Sequence, residues 1–191
     1  MDALDLLAAD HNRVRGLFTR FKAAKENDDL DEMTVLCNVI LNELDVHTTI
    51  EEEIFYPALH DVNDDIHESI TEGYEEHHVA EGVMDELKAM EPNTEDWAAK
   101  VTVLIENIEH HAEEEESNLF PLVRKATTQE DREALAHRME ARKQELGAPT
   151  LADKIDLTKE ELMELAKEQE ISGRSKMSQE ELAATVAPPT S

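Results

Sequence analysis

Cysteine is nearly absent from this 191-residue chain. The lone Cys37 excludes an internal disulfide and a thiolate metal cluster, and it reads as a small buried residue in a reducing compartment. Glycine and proline are scarce, at five and six residues, and the aromatics are one Trp, two Tyr and four Phe. The β-branched residues stand singly among Glu, Leu, Ala and Lys, so the composition favours helices and nearly excludes a β-sandwich or barrel. No apolar run approaches the roughly 18 residues that a membrane span needs. The start, Met1-Asp-Ala-Leu-Asp-Leu-Leu, lacks the basic segment of a secretory signal. A cytoplasmic protein without a membrane partner is expected. Positive charge is the other shortage: 18 Lys and Arg against 46 Asp and Glu give a formal net charge of −28. Nucleic acids require a basic footprint and are therefore not expected as partners. With 40% of the chain apolar, a packed core is expected rather than a disordered acidic tail.

Apolar residues recur at intervals of three and four from Leu4 to Val123, which predicts an all-α fold of four long helices. Their short connections predict an up-down-up-down four-helix bundle over residues 1–126. The expected helices are 2–26, 30–60 and 64–90, and a fourth capped by Thr94 whose apolar stripe runs from Val101 to Leu119. Thr127 and Glu130 form a capping-box pattern that opens an amphipathic fifth helix over 127–146. A linker over 147–156, a small helical module over 157–186 and a disordered tail over 187–191 complete the expected organisation.

The acidic charge is unevenly spread. No Lys or Arg stands between Lys25 and Lys88, and acidic runs occur at Glu51-Glu52-Glu53, Glu75-Glu76 and Glu113 to Glu116. Two of these runs follow histidines within a repeated phrase. His47-Thr-Thr-Ile-Glu51-Glu-Glu-Ile-Phe-Tyr-Pro57 and His111-Ala-Glu-Glu-Glu115-Glu-Ser-Asn-Leu-Phe-Pro121 share a His, a Glu four residues later, an apolar-aromatic pair and a Pro ten residues after the His. Spacing of four puts His and Glu on one helical face, one turn apart, where both reach a single metal centre. His47 shares its face with Ile40, Leu44, Ile50 and Ile54, and His111 shares its face with Val101, Leu104 and Ile108. The other two long helices each add a histidine with apolar residues at the same offsets: His11 before Val14, Leu17, Phe18 and Phe21, and His77 before Ala80, Val83, Met84 and Leu87. Four inward imidazoles and two matched carboxylates would leave many polar groups buried without partners unless a cation used them.

These residues resemble the hemerythrin-like HHE cation-binding family over roughly residues 2–123, with the doubled His-x-x-x-Glu phrase as the specific feature. The resemblance implies a four-helix bundle holding two Fe ions as an oxo- or hydroxo-bridged di-iron centre. His11, His47, His77 and His111 would be terminal ligands, and Glu51 and Glu115 bridging carboxylates. The donor set also suits zinc or manganese. A ferritin-type arrangement would need two Glu-x-x-His phrases, and only Glu75-Glu-His-His78 fits. The family's oxygen carriers have a further His four residues after the third-helix His. Here that position is Glu81, expected as an anionic ligand that favours ferric iron and so argues against reversible dioxygen carriage. Tyr74, one turn before His77, is expected to donate a hydrogen bond to a bound oxygen species, and Glu43, one turn before His47, to support that histidine.

The segment from Leu157 to Leu182 resembles the small helical module at the N-terminus of transcription termination factor Rho. Nine acidic residues outnumber five basic ones over 147–191, so a docking surface for a protein partner is the expectation. The expected function is oxidative-stress chemistry in which the centre reacts with hydrogen peroxide, dioxygen or nitric oxide, with catalase-like or peroxidase-like turnover. The alternative is iron or oxygen sensing without turnover, relayed through the C-terminal module.

Overall fold

The computed structural model describes residues 1–147 together with Met163 and Lys167. The expected linker, C-terminal module and tail otherwise lie outside the described residues. Met1–Met139 forms one compact unit and Glu140–Ser191 a second. Every regular element among the described residues is helical.

Helix α1 spans Ala3–Glu26, α2 Leu30–Ile50, α3 Tyr56–Leu59, α4 Asp64–Ala89, α5 Glu95–Glu114, α6 Phe120–Ala126 and α7 Gln129–Glu145. Each long helix opens on a side chain that accepts its first orphan N–H groups. Asp2 accepts from Leu4 and Asp5 at the start of α1, Asp29 from Glu32 in α2, Asn63 from Ile66 in α4 and Thr94 from Trp97 in α5. The turns before α2 and α5 reverse the chain through left-handed residues, Asp28 at φ 52° and Asn93 at φ 65°, residue types that tolerate this region. At α7 the reciprocal cap forms one residue later than the Thr127/Glu130 pattern suggests. The Thr128 N–H donates to Asp131 Oδ2 and the Asp131 N–H to Thr128 Oγ1, while the Thr127 hydroxyl turns back to the Val123 carbonyl.

The core consists of two apolar clusters, and the chain passes from one to the other at the histidine of each long helix. One cluster holds Val14 to Ala24 of α1, Met33 to Leu44 of α2, Ala80 to Leu87 of α4 and Trp97 to Ile108 of α5. The second holds Ala3 to Leu7, Ile50 to Leu59, Ile66 and Ile70, Leu119 to Val123, and Leu135, Ala136 and Met139 of α7. The order reverses from helix to helix, which gives the up-down-up-down arrangement, and His11, His47, His77 and His111 form a layer between the clusters. Cys37 is buried in the first cluster, where burial pushes its thiol up to about 11 and leaves it unreactive.

Two of the expected continuous helices are interrupted. Glu51–Phe55 and Glu115–Leu119 are single π-helical turns, closed by the Tyr56 N–H on the Glu51 carbonyl and the Phe120 N–H on the Glu115 carbonyl. One extra residue per turn shifts the downstream register, so that Phe55, Tyr56 and Leu59, and likewise Leu119, Phe120 and Val123, face inward.

The start of α1 is also the anchor of α7. Arg132 Nε donates to Asp2 Oδ2 at 2.7 Å with both side chains nearly buried, and its guanidinium also reaches the Thr127 carbonyl. Asp2→Ala removes a helix cap and leaves Arg132 without its carboxylate. It is expected to destabilise the protein by about 2–4 kcal/mol in chemical denaturation, and Asp2→Asn, which keeps the cap, to lose less.

Candidate metal centre

The histidine layer is built from two imidazole pairs. His11 Nε2 lies 3.2 Å from His47 Nε2, and His77 Nε2 lies 3.2 Å from His111 Nε2. At an imidazole–metal distance of about 2.1 Å, two nitrogens 90° apart on one ion stand about 3.0 Å from each other. Each pair is therefore spaced to hold one cation.

Glu51 and Glu115 connect the pairs. Glu51 Oε2 lies 3.3 Å from His47 Nε2 and 3.3 Å from His77 Nε2. Glu115 Oε2 lies 3.4 Å from His11 Nε2 and 3.9 Å from His111 Nε2. Glu51 is fully buried and neither of its oxygens has a hydrogen-bond partner, and Glu115 Oε2 likewise has none. Such orphaned acceptors cost free energy unless a cation takes them. The residues thus fit a pair of metal ions: His11, His47, Glu51 and Glu115 converge as one donor group, and Glu51, His77 and His111 as a second.

The outer ring nitrogens are held by carboxylates. His11 Nδ1 is 2.9 Å from Glu116, His77 Nδ1 2.9 Å from Glu52, and His111 Nδ1 2.7 Å from Glu76, while His47 Nδ1 has the looser Asp10 at 3.6 Å. A carboxylate at Nδ1 fixes the tautomer that leaves the Nε2 lone pair pointing inward.

Burial dominates the electrostatics. It pushes the Glu51 carboxyl well above the usual range, helped by the Glu115 charge. Burial also opposes ionisation of Glu115, but the neighbouring His11, His111 and His47 outweigh it and hold that carboxyl low. His47 is lowered to about 4 by burial, against the opposing pull of Asp10. His77 is lowered by burial and by His111, whereas at His111 the hydrogen bond and charge of Glu76 overcome burial and raise it. Neutral imidazoles are the form a metal needs.

Six of the seven expected ligand positions meet in this layer. Glu81 does not: it is exposed and belongs to neither donor group. The buried stripe of α4 runs through Ile70, Gly73, His77, Ala80 and Met84, so Ala80 rather than Glu81 takes the inward place one turn after His77. The anionic donor invoked against reversible dioxygen carriage is therefore turned to solvent. Glu43 forms an ion pair with Arg13. Tyr74 is half-buried, with its hydroxyl 3.5 Å from the Glu52 carbonyl oxygen. The tyrosine that reaches the centre is Tyr56, whose hydroxyl donates to Glu115 Oε1 at 2.9 Å. Burial and then the charges of Glu51 and Glu115 push its phenol well up, so it keeps its proton. Tyr56 stands where the second copy of the phrase has Phe120, and that difference was its signal in the sequence. Both rings stack on a histidine: Tyr56 on His77 with centroids 5.5 Å apart, and Phe120 on His11 at 6.0 Å.

Fold and site together define a metal-binding helical bundle of hemerythrin-like type. Residues 2–123 match the family described as Hemerythrin HHE cation binding domain, and the chain belongs to that family. It is similar to a Nostoc sp. protein named DNA nickase, 26% identical over 146 residues, an alignment covering 76% of this chain and 40% of the nickase. It is also similar to an uncharacterized Mycobacterium tuberculosis protein, 32% identical over 158 residues and covering 78% of this chain and 90% of the relative. A third relative is an uncharacterized hemerythrin-like protein of Schizosaccharomyces pombe, 23% identical over 128 residues, covering 66% of this chain and 62% of that protein. No solved structure matches the chain. Among the described residues, no helix is long and apolar enough to cross a membrane.

Two substitutions probe this layer. His111→Ala removes one member of a pair and is expected to lower bound metal, measured by elemental analysis after dialysis, by about half or more; unchanged stoichiometry would remove His111 from the site. Gly73→Ala places a methyl group 2.7 Å from Tyr56 Oη and 3.1 Å from its ring. Instead of the gain of up to about 1 kcal/mol usual for Gly→Ala inside a helix, it is expected to lower the denaturation midpoint, because Tyr56 is pinned by Glu115 and His77.

Proposed function

We propose that this chain is a cytoplasmic di-iron protein that reacts with hydrogen peroxide, dioxygen or nitric oxide and turns over peroxide in a catalase-like reaction. In this reading His11, His47, His77 and His111 are terminal ligands and Glu51 and Glu115 are the bridges. The supporting observation is that each buried carboxylate reaches one imidazole from each pair. Two independent mononuclear sites would instead give each pair a carboxylate of its own.

Two irons held there would supply Lewis-acid and redox chemistry to a small oxygen or nitrogen oxide ligand. The protein's own part is positioning and exclusion. A cavity of about 10 Å³ touches all four imidazoles and is walled by Val14, Phe18, Leu44 and Ile108. Its apolar surface offers bulk water few partners. Tyr56 holds its proton on Oη and donates it as a hydrogen bond to Glu115 Oε1, which fixes that carboxylate while Oε2 faces the imidazoles. α4 contributes only His77 to the layer, so no second side chain of that helix would compete with a small ligand for a metal held there.

Nickase activity is not carried over from the Nostoc relative. The chain spans 40% of that protein, and a net charge of −28 opposes DNA approach.

The test is metal content and visible absorption of the purified protein, followed by addition of peroxide or nitric oxide. About two irons per chain, a spectral response to either ligand and oxygen evolution from peroxide are expected. A colourless zinc-loaded protein, or an iron-loaded protein inert to both ligands, would overturn the proposal. A spectral response without oxygen evolution would assign the centre to sensing rather than turnover.

A further inference from the structure

The end of α5 and the start of the π turn after it carry the His-x-x-x-Glu spacing twice, offset by one residue. His111 and Glu115 point into the layer. His110 and Glu114 lie on the adjacent outer face, with His110 exposed, Glu114 half-buried and His110 Nε2 3.6 Å from Glu114 Oε1. Glu76 of α4 completes the outer set: one donor atom from each of Glu76, His110 and Glu114 lies within 4.8 Å of the others. The same Glu76 holds His111 Nδ1 at 2.7 Å. It is the one residue shared by the outer trio and the buried layer.

Two further observations separate this trio from an ordinary acidic surface. First, a cleft of about 30 Å³ opens beside it, lined by Glu72, Glu76, Glu114 and Asn118, with His111 and Glu115 also on its wall. Glu115 is 4% exposed and its Oε2 has no hydrogen-bond partner. The polar cleft thus runs to a buried carboxylate whose Oε2 faces the imidazoles without a hydrogen-bond partner. Second, the comparable position on the opposite side is already neutralised. Glu116, which holds His11 Nδ1, is clamped by Arg15 through contacts of 2.8 and 3.2 Å. No Lys or Arg ion pair reaches Glu72, Glu76 or Glu114 among the described residues, and α4 has no basic residue before Lys88. Imidazole and carboxylates without a cation are a borderline-hard donor set suited to a divalent transition metal.

We propose that Glu76, His110 and Glu114 form a capture site for ferrous iron, which passes through the cleft to the His111 and Glu115 side of the buried centre. A hydrated divalent ion exchanges its waters one at a time, and this route offers carboxylate and imidazole donors from solvent inward. The apolar cavity on the other side of the imidazoles offers a cation no such exchange. The inference rests on the reading of the buried layer as an iron centre.

The first experiment mixes metal-free protein with Fe(II) under nitrogen and measures bound iron against time by chelator quench, for the wild type and for His110→Asn/Glu114→Gln. Neither substituted residue belongs to the buried layer. The expected result is an unchanged final stoichiometry with loading slowed about tenfold or more; equal loading rates would overturn the capture site. The second experiment uses His47→Ala/His77→Ala, which removes one imidazole from each pair of the buried layer, and titrates Mn(II) by electron paramagnetic resonance. One bound ion that Glu114→Gln abolishes supports the outer site whatever the buried layer proves to hold. No bound ion, or one indifferent to Glu114→Gln, would overturn it. Failure of wild-type protein to take up iron would instead count against the di-iron reading, so the two failures are distinct.

Discussion

Three of the four carboxylate oxygens of Glu51 and Glu115 lie in the middle of this bundle without a hydrogen-bond partner, and the rest of the fold is organised around holding them there. Isolated buried charges of this kind relax by taking up a proton or by collapsing the structure around them. Here four imidazoles close over them, Tyr56 takes the remaining oxygen, and an apolar cluster packs on either side. The two clusters supply the stability that allows a polar layer between them, and the capped ends of the long helices fix the level at which each histidine enters it. The layer is the place where the sequence is worst fitted to a metal-free core and best fitted to a cation.

The helical frame and six donor residues were legible because both depend on one period. An inward histidine at the boundary of an apolar stripe, with a glutamate four residues on, can be read from spacing alone. Glu81 shows the limit of that rule. It also stands four residues after a histidine, but the inward stripe of α4 drifts through Ala80 and Met84 and carries position 81 out of the layer. At Glu51 and Glu115 a π turn begins and shifts the register of the residues that follow. Apolar spacing does not report that extra residue. Pro57 and Pro121 do mark the place, since a residue without an N–H cannot continue the hydrogen-bond ladder, but proline is equally compatible with the first turn of a new helix. The carboxylates at Nδ1 were hidden for a different reason. Glu52, Glu76 and Glu116 belong to acidic runs in which nothing local tells which member turns inward.

The doubled phrase gives the centre an approximate two-fold symmetry: His47 and Glu51 correspond to His111 and Glu115, and Tyr56 over His77 corresponds to Phe120 over His11. A single hydroxyl breaks it. Tyr56 binds Glu115, while Phe120 has nothing to offer Glu51, so the two carboxylates differ in freedom to rotate. Gly73 is part of the same device, because any side chain there would occupy the space of the Tyr56 ring.

The asymmetry extends to the surroundings of the layer. One side of the imidazoles faces a small apolar cavity; on another, a cleft lined by carboxylates ends at Glu115. These surfaces select for opposite properties. An apolar wall penalises any ion by the loss of its hydration and leaves a neutral diatomic molecule almost unaffected, whereas a carboxylate-lined wall concentrates cations and gives neutral molecules no advantage. A centre reached by both can be loaded from one direction and supplied with its small ligand from another. The skewed charge of the chain serves the first of these routes: the absence of Lys and Arg from Lys25 to Lys88 leaves α4 without a cation to neutralise the cleft, while α1 uses Arg15 to close the opposite face.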